Sequence, residues 1–211
     1  ILCYNILHTE GNMNTASAIK QTISRYRRGE PFTNFRLLEL GSRQAVDTAL
    51  SRLVEQGNLC RIIPGVYMRP KFSKYVGEIA PDAHRVIELV AKERGEVIMP
   101  QGVEAARYFK LTTQVPLQTV YYTSGTSRTV TINQLKIRLK HVSPSKLVHA
   151  NTKTGLAITA LRYVGNEQVT FQTIEKIRQQ LSTKEFTALL RARVPVWLKS
   201  KLNQYEAKGD V

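Results

Sequence analysis

The chain has 211 residues, a hydrophobic fraction of 42%, and 31 Lys+Arg against 16 Asp+Glu, for a net charge of +15. That length fits one large or two small domains, and that composition is enough for an ordinary core. No apolar run approaches the ~20 residues that cross a bilayer, and the positive excess favours a polyanionic partner, nucleic acid ahead of an anionic membrane.

The elements follow in chain order. Residues 1–12, ILCYNILHTEGN, read as a vector-derived or upstream leader ahead of a start at Met13, since a signal peptide would carry a basic n-region. A helix capped by Thr15 or Ser17 is expected through Arg28, with Ile19, Ile23 and Tyr26 at helical spacing. Phe32-Thr33 reads as a short strand, and Asn34 as the N-cap of a helix over Phe35–Leu40 that stops at Gly41. A second helix, capped by Ser42, runs to Gln56. Gly57 ends it. Strands Leu59–Ile63 and Val66–Arg69 follow, joined by Pro64-Gly65. Helix, turn, helix and hairpin in that order predict a winged helix-turn-helix, which lays its second helix in a DNA major groove.

The second helix has two unlike faces. Val46, Ala49, Leu50, Leu53 and Val54 fall on one side. Gln44, Thr48, Ser51 and Glu55 fall on the other, with Arg52 beside them and Arg43 near the N-terminus. Short hydrogen-bonding side chains suit base edges, as Lys/Glu pairs on an ordinary outer face would not. The expected DNA-binding set is therefore Ser42, Arg43, Gln44, Thr48, Ser51 and Arg52, with Arg61, Arg69 and Lys71 of the wing on phosphates.

Pro70 to Pro81 reads as a linker or switch. This places a winged helix-turn-helix domain at 13–74 and a mixed α/β domain at 75–211. Within the second, a helix (Asp82–Arg94), a strand (Glu96–Met99) and a helix (Gly102–Phe109) precede strands at Leu117–Thr123, Arg128–Ile132 and Leu135–Val142. Ser124-Gly125-Thr126 joins the first two of those strands. The last alternates Leu135, Ile137 and Leu139 inward with Lys136, Arg138 and Lys140 outward. Helices are expected over Pro144–Ala150, Gly155–Val164, Phe171–Leu181, Lys184–Ala192 and Val196–Tyr205, with a capping box at Ser182 and Glu185. The fold class is thus α+β: a winged helix-turn-helix, then a mixed α/β domain with a small sheet and a helical C-terminus.

Charge is concentrated. Residues 13–74 hold 11 basic and 4 acidic residues, and no acid occurs from 105 to 166, where nine bases stand. Arg128, Lys136, Arg138 and Lys140 are candidates for a second basic surface, although lysines also guard sheet edges.

Catalytic signatures are missing from the sequence. It contains no Gly-rich phosphate loop, GxSxG, HExxH or CxxC. Gly41-Ser42 lacks the downstream carboxylate pair a nucleotidyltransferase needs to hold two metals. Cys3 and Cys60 form no disulfide framework, and the four histidines share no metal-ligand spacing. These features predict a cytoplasmic non-enzyme with no metal, cofactor or membrane partner.

The run ELGSRQAVDTALSRLVEQGNLCRIIPGVYMRP resembles the N-terminal winged helix of the AbiEi-type antitoxins of bacterial type IV toxin–antitoxin systems. Gly41, Ser42, Arg43, Leu50, Leu53, Val54, Gly57, Leu59, Arg61, Gly65, Val66, Tyr67 and Pro70 carry the match. The segment MPQGVEAARYFKLTTQVPLQTVYYTSGTSRTVTI resembles their second domain through Gly102, Ala105, Ala106, Leu111, Thr113, Gln114 and Pro116. The resemblance spans most of residues 13–200. It implies an autorepressor bound to its own promoter, whose second domain counters a nucleotidyltransferase-like toxin, acting on that toxin or on its RNA substrate. The competing reading is an RNA- or ribosome-associated basic protein, for which Tyr121 and Tyr122 on an exposed sheet would stack bases.

Overall fold

The computed structural model describes residues 14–209. The leader reading, Met13, Cys3 and His8 lie outside them. The chain divides into two compact units, one ending at Val90 and the other starting at Ala91.

In the first unit, α1 (Thr15–Ser24) is capped by the Asn14 side chain, which accepts from the Ala16 N–H at 3.2 Å, one step before the expected cap. It ends at Ser24, four residues short of Arg28, where the chain turns into β1 (Pro31–Thr33). The next segment, Asn34–Leu40, is a 3-10 helix and not an α-helix. In a 3-10 helix residues three apart eclipse one another, so Asn34, Leu37 and Leu40 share one inward face. Gly41 follows because α1 passes close: a Cβ there would stand 2.5 Å from Thr15 Cγ2. Helix α2 (Arg43–Glu55) starts at Ser42, whose hydroxyl accepts from the Ala45 N–H at 3.3 Å.

The wing is the hairpin β2 (Cys60–Ile63) and β3 (Val66–Met68), turned at Gly65 with φ +78°. Strand β1 adds to it, giving the order β1-β3-β2, as the Phe32-Thr33 reading expected. Ile19, Ile23, Phe32, Leu37, Val46, Leu50 and Leu59 form the core of this unit.

The predicted linker at Pro70–Pro81 is a second hairpin, β4 (Phe72–Ser73) with β5 (Gly77–Glu78). The Ile79 N–H donates to the Lys71 carbonyl at 2.8 Å, and Cys60 Sγ donates to Glu78 Oε1 at 2.9 Å. The first closes the hairpin and the second ties it back to β2; the two units divide later than the predicted 74/75 boundary, within α3 (Ala83–Glu93). Burial, with the Glu78 carboxylate alongside, pushes the Cys60 thiol up to about 11, too high for a nucleophile at neutral pH.

The second unit holds β6 (Ile98–Pro100), α4 (Gly102–Tyr108), β7 (Thr119–Thr123), β8 (Arg128–Ile132) and β9 (Leu135–His141). The sheet order is β6-β7-β9-β8, with β7 and β9 parallel. Strands β7 and β8, consecutive in sequence, are therefore not partners. Helices α5 (Lys153–Val164), α6 (Phe171–Arg178), α7 (Thr183–Arg191) and α8 (Val196–Gly209) complete it. The expected helix at Pro144–Ala150 shrinks to a single 3-10 turn, Pro144–Lys146, because His149 and Asn151 take positive φ. Glu185 and Ser182 form the expected capping box, and the Ser182 backbone N–H and hydroxyl hold the Glu185 carboxyl below its usual range. The helical core runs through Phe109, Ile158, Leu161, Ile174, Ile177, Leu189, Leu198 and Leu202.

Helix α5 begins against the 148–152 turn. A Cβ on Gly155 would stand 2.1 Å from the His149 carbonyl oxygen, which is backbone and cannot swing aside. Gly155→Ala should cost about 1–3 kcal/mol, the range for overpacking. Urea unfolding of the full chain measures it, and an unchanged midpoint would mean that the turn yields.

Candidate nucleic-acid interface

Buried Val46, Ala49, Leu50 and Leu53 fix the roll of α2. That roll turns Arg43, Gln44, Thr48, Ser51, Arg52 and Glu55 to solvent, as their spacing predicts. Arg43, Gln44, Asp47, Thr48 and Ser51 line one shallow open concavity. The donors are not equally free. Thr48 Oγ1 donates to the Gln44 carbonyl at 2.8 Å, leaving a methyl group and an acceptor to face a partner. The Ser42 oxygen is committed to the cap. Arg43 Nε lies 3.9 Å from Asp47 Oδ2 in an exposed pair worth little and readily exchanged.

Asn34 does not take the N-cap role expected of it. It caps no helix. Its side chain donates to Asp47 Oδ1 at 3.0 Å, and its backbone N–H donates to the Gly65 carbonyl at 3.1 Å. One residue, 9% exposed, thus joins the wing turn to the N-terminal half of α2. The only sequence signal for it is the i, i+3 apolar spacing of Leu37 and Leu40, which puts position 34 inward.

The three wing cations part company. Arg61 is exposed on β2 and Lys71 is exposed beyond β3. Arg69 faces inward: its Nη1 donates to the carbonyls of Ser24 at 2.6 Å and Tyr26 at 2.7 Å, closing the C-terminal end of α1. It is a structural clamp, not the phosphate contact the sequence suggested.

The basic stripe of the second unit is also sorted by register. Arg128 is opposite Leu139, on the buried face of the sheet. Its Nη1 and Nη2 donate to Glu96 Oε1 at 2.9 Å and Oε2 at 2.7 Å, and Thr123 Oγ1 donates to the same carboxylate at 3.1 Å. Arg128 therefore leaves the proposed surface. Lys136, Arg138 and Lys140 stay exposed on the other face, beside Thr131, Thr129 and Tyr122. Leu135, predicted inward, is 45% exposed at the end of its strand. β9 has β7 on one side and β8 on the other, so its cations do not guard an edge. Tyr121 is buried and Tyr122 half-buried, which removes the stacking pair expected of an RNA reader.

No helix among the described residues is long and apolar enough to cross a membrane, and none of their His, Cys, Asp and Glu side chains gather in threes. Different outcomes are expected at two arginines. Arg69→Ala loses two charge-assisted hydrogen bonds and should destabilise the fold by about 2 kcal/mol or more. Arg61→Ala should leave the melting temperature alone and remove about one unit from the slope of log K against log salt on duplex DNA. Reversed results would exchange their roles.

No curated protein sequence matches the chain. A solved structure, the Rv2827c protein of Mycobacterium tuberculosis, aligns with 11% identity and a TM-score of 0.44, covering 92% of this chain and 81% of that one. A family model described as a family of unknown function (DUF6088) matches residues 18–189, and the chain belongs to that family.

Proposed function

We propose that the protein is a sequence-specific DNA-binding regulator acting at its own promoter, and that it binds rather than catalyses. One observation carries the reading: α2 presents Arg43, Gln44, Thr48 and Ser51 to solvent on a rigid face, next to a wing turn bonded to the same helix through Asn34. In this reading Arg43 pairs with guanine and Gln44 with adenine, Thr48 sets its methyl and acceptor against the next base, and Arg52, Arg61 and Lys71 take phosphates. Ser42 keeps the helix start in place. The resemblance to AbiEi-type antitoxins extends the proposal to autorepression and to a nucleotidyltransferase-like toxin countered by the second unit. The net charge of +15 supports a polyanionic partner.

The test compares operator and random duplexes. Arg43→Ala and Gln44→Ala should each cost ~1–3 kcal/mol on the protein's upstream DNA and far less on random duplex. Equal loss on both would mean that α2 holds the backbone without reading bases.

A further inference from the structure

We propose that the open sheet face of the second unit binds single-stranded nucleic acid through its phosphates. Lys136, Arg138 and Lys140 stand in single file on β9, on alternate residues and so ~7 Å apart. All three are exposed, and none has a hydrogen bond or ion pair among the described residues. No acid lies on β7, β8, β9 or anywhere from 105 to 166, so the face has no carboxylate of its own to neutralise the row. Three unpaired like charges so close repel one another, and edge protection does not explain them, because β9 is interior.

The flanking residues define the occupant. Thr129 and Thr131 lie opposite Arg138 and Lys136, placing small hydroxyl side chains along one side of the row. On the other side Val120 and Tyr122 lie opposite Arg138 and Lys140. Beyond Tyr122 the face is closed by a cluster of Met99, Val142 and Leu147, on which Tyr122 packs. The exposed part is therefore one row of cations with a low polar shelf on one side. One row follows one backbone, whereas a duplex groove presents two. With Tyr121 buried and Tyr122 half-buried, base stacking contributes little, so binding is led by phosphate contacts and tolerates any sequence.

This inference does not depend on the α2 reading, and the test separates the two. The full chain is titrated into a fluorescein-labelled oligouridylate of about 12 nucleotides, within the site sizes of sheet-based single-strand binders. A random DNA duplex is titrated in parallel, each at several salt concentrations. K136Q/R138Q/K140Q should weaken oligouridylate binding at least ~10-fold and lower the salt slope by about 2, at ~0.7 per phosphate contact. K136R/R138K/K140R, which keeps the charges, should bind as the parent does. R43A/Q44A should leave the oligouridylate affinity unchanged. The proposal is overturned if the parent chain shows no salt-dependent binding to the oligouridylate. It is overturned equally if the neutral triple variant, melting at the parental temperature, keeps its affinity and slope or loses as much on duplex as on single strand.

Discussion

The first unit depends on how Asn34 is spent. A residue that would ordinarily cap the next helix is instead drawn into the interior by 3-10 winding. There its backbone binds the Gly65 carbonyl and its amide binds Asp47. The wing turn and the start of α2 are thereby fixed to a common point. The DNA-reading role proposed for this helix and hairpin requires that registration, because an error of about 1 Å between them spoils any bidentate contact to a base. Arg69 does the complementary work at the other end, holding the residue after β3 to the Ser24 carbonyl that ends α1 and to the Tyr26 carbonyl just beyond it.

In the second unit the organising contact is the Glu96–Arg128 pair, bidentate, 12% and 18% exposed, and joined by the Thr123 hydroxyl. It connects the segment before β6 to the start of β8, the two edge strands of the sheet. A Cβ on Gly125 would stand 2.2 Å from the Glu96 carboxyl carbon, so a larger residue there would push the carboxylate away from Arg128. Breaking such a pair leaves a poorly solvated charge, so each partner matters more than the pair's net contribution. The pair also divides the bases by role, since Arg128 holds the sheet together while the β9 cations stay free on the opposite face.

The elements written by period and by cap were readable in the sequence. The buried stripe of α2, the Ser42 cap, the Pro64-Gly65 wing turn, the Ser182–Glu185 box and the in–out alternation of β9 all follow from local chemistry. What failed depends on distant partners. Nothing within reach of Asn34 in sequence shows that Asp47 and Gly65 will be its partners. Arg69 and Arg128 look like surface bases until the Ser24 and Tyr26 carbonyls and Glu96 arrive beside them. The parallel pairing of β7 with β9 is invisible because sequence neighbours were expected to pair, and the 72–78 hairpin was hidden behind flanking prolines that suggested a linker. Of the nine nominated α2 and wing residues, Gln44, Ser51, Arg52 and Arg61 stand exposed with no side-chain hydrogen bond or ion pair among the described residues. Lys71 is exposed too, while Arg43 and Thr48 keep partial engagements and Ser42 and Arg69 serve the fold.

The central claim is that α2 reads sequence. In vitro selection with the full chain from a randomised duplex library, followed by guanine-N7 methylation interference on the winning site, tests it most directly. The account predicts convergence on a short motif in which methylation of one major-groove guanine abolishes binding. A library that stays random after selection, with affinity set by salt alone, would contradict it.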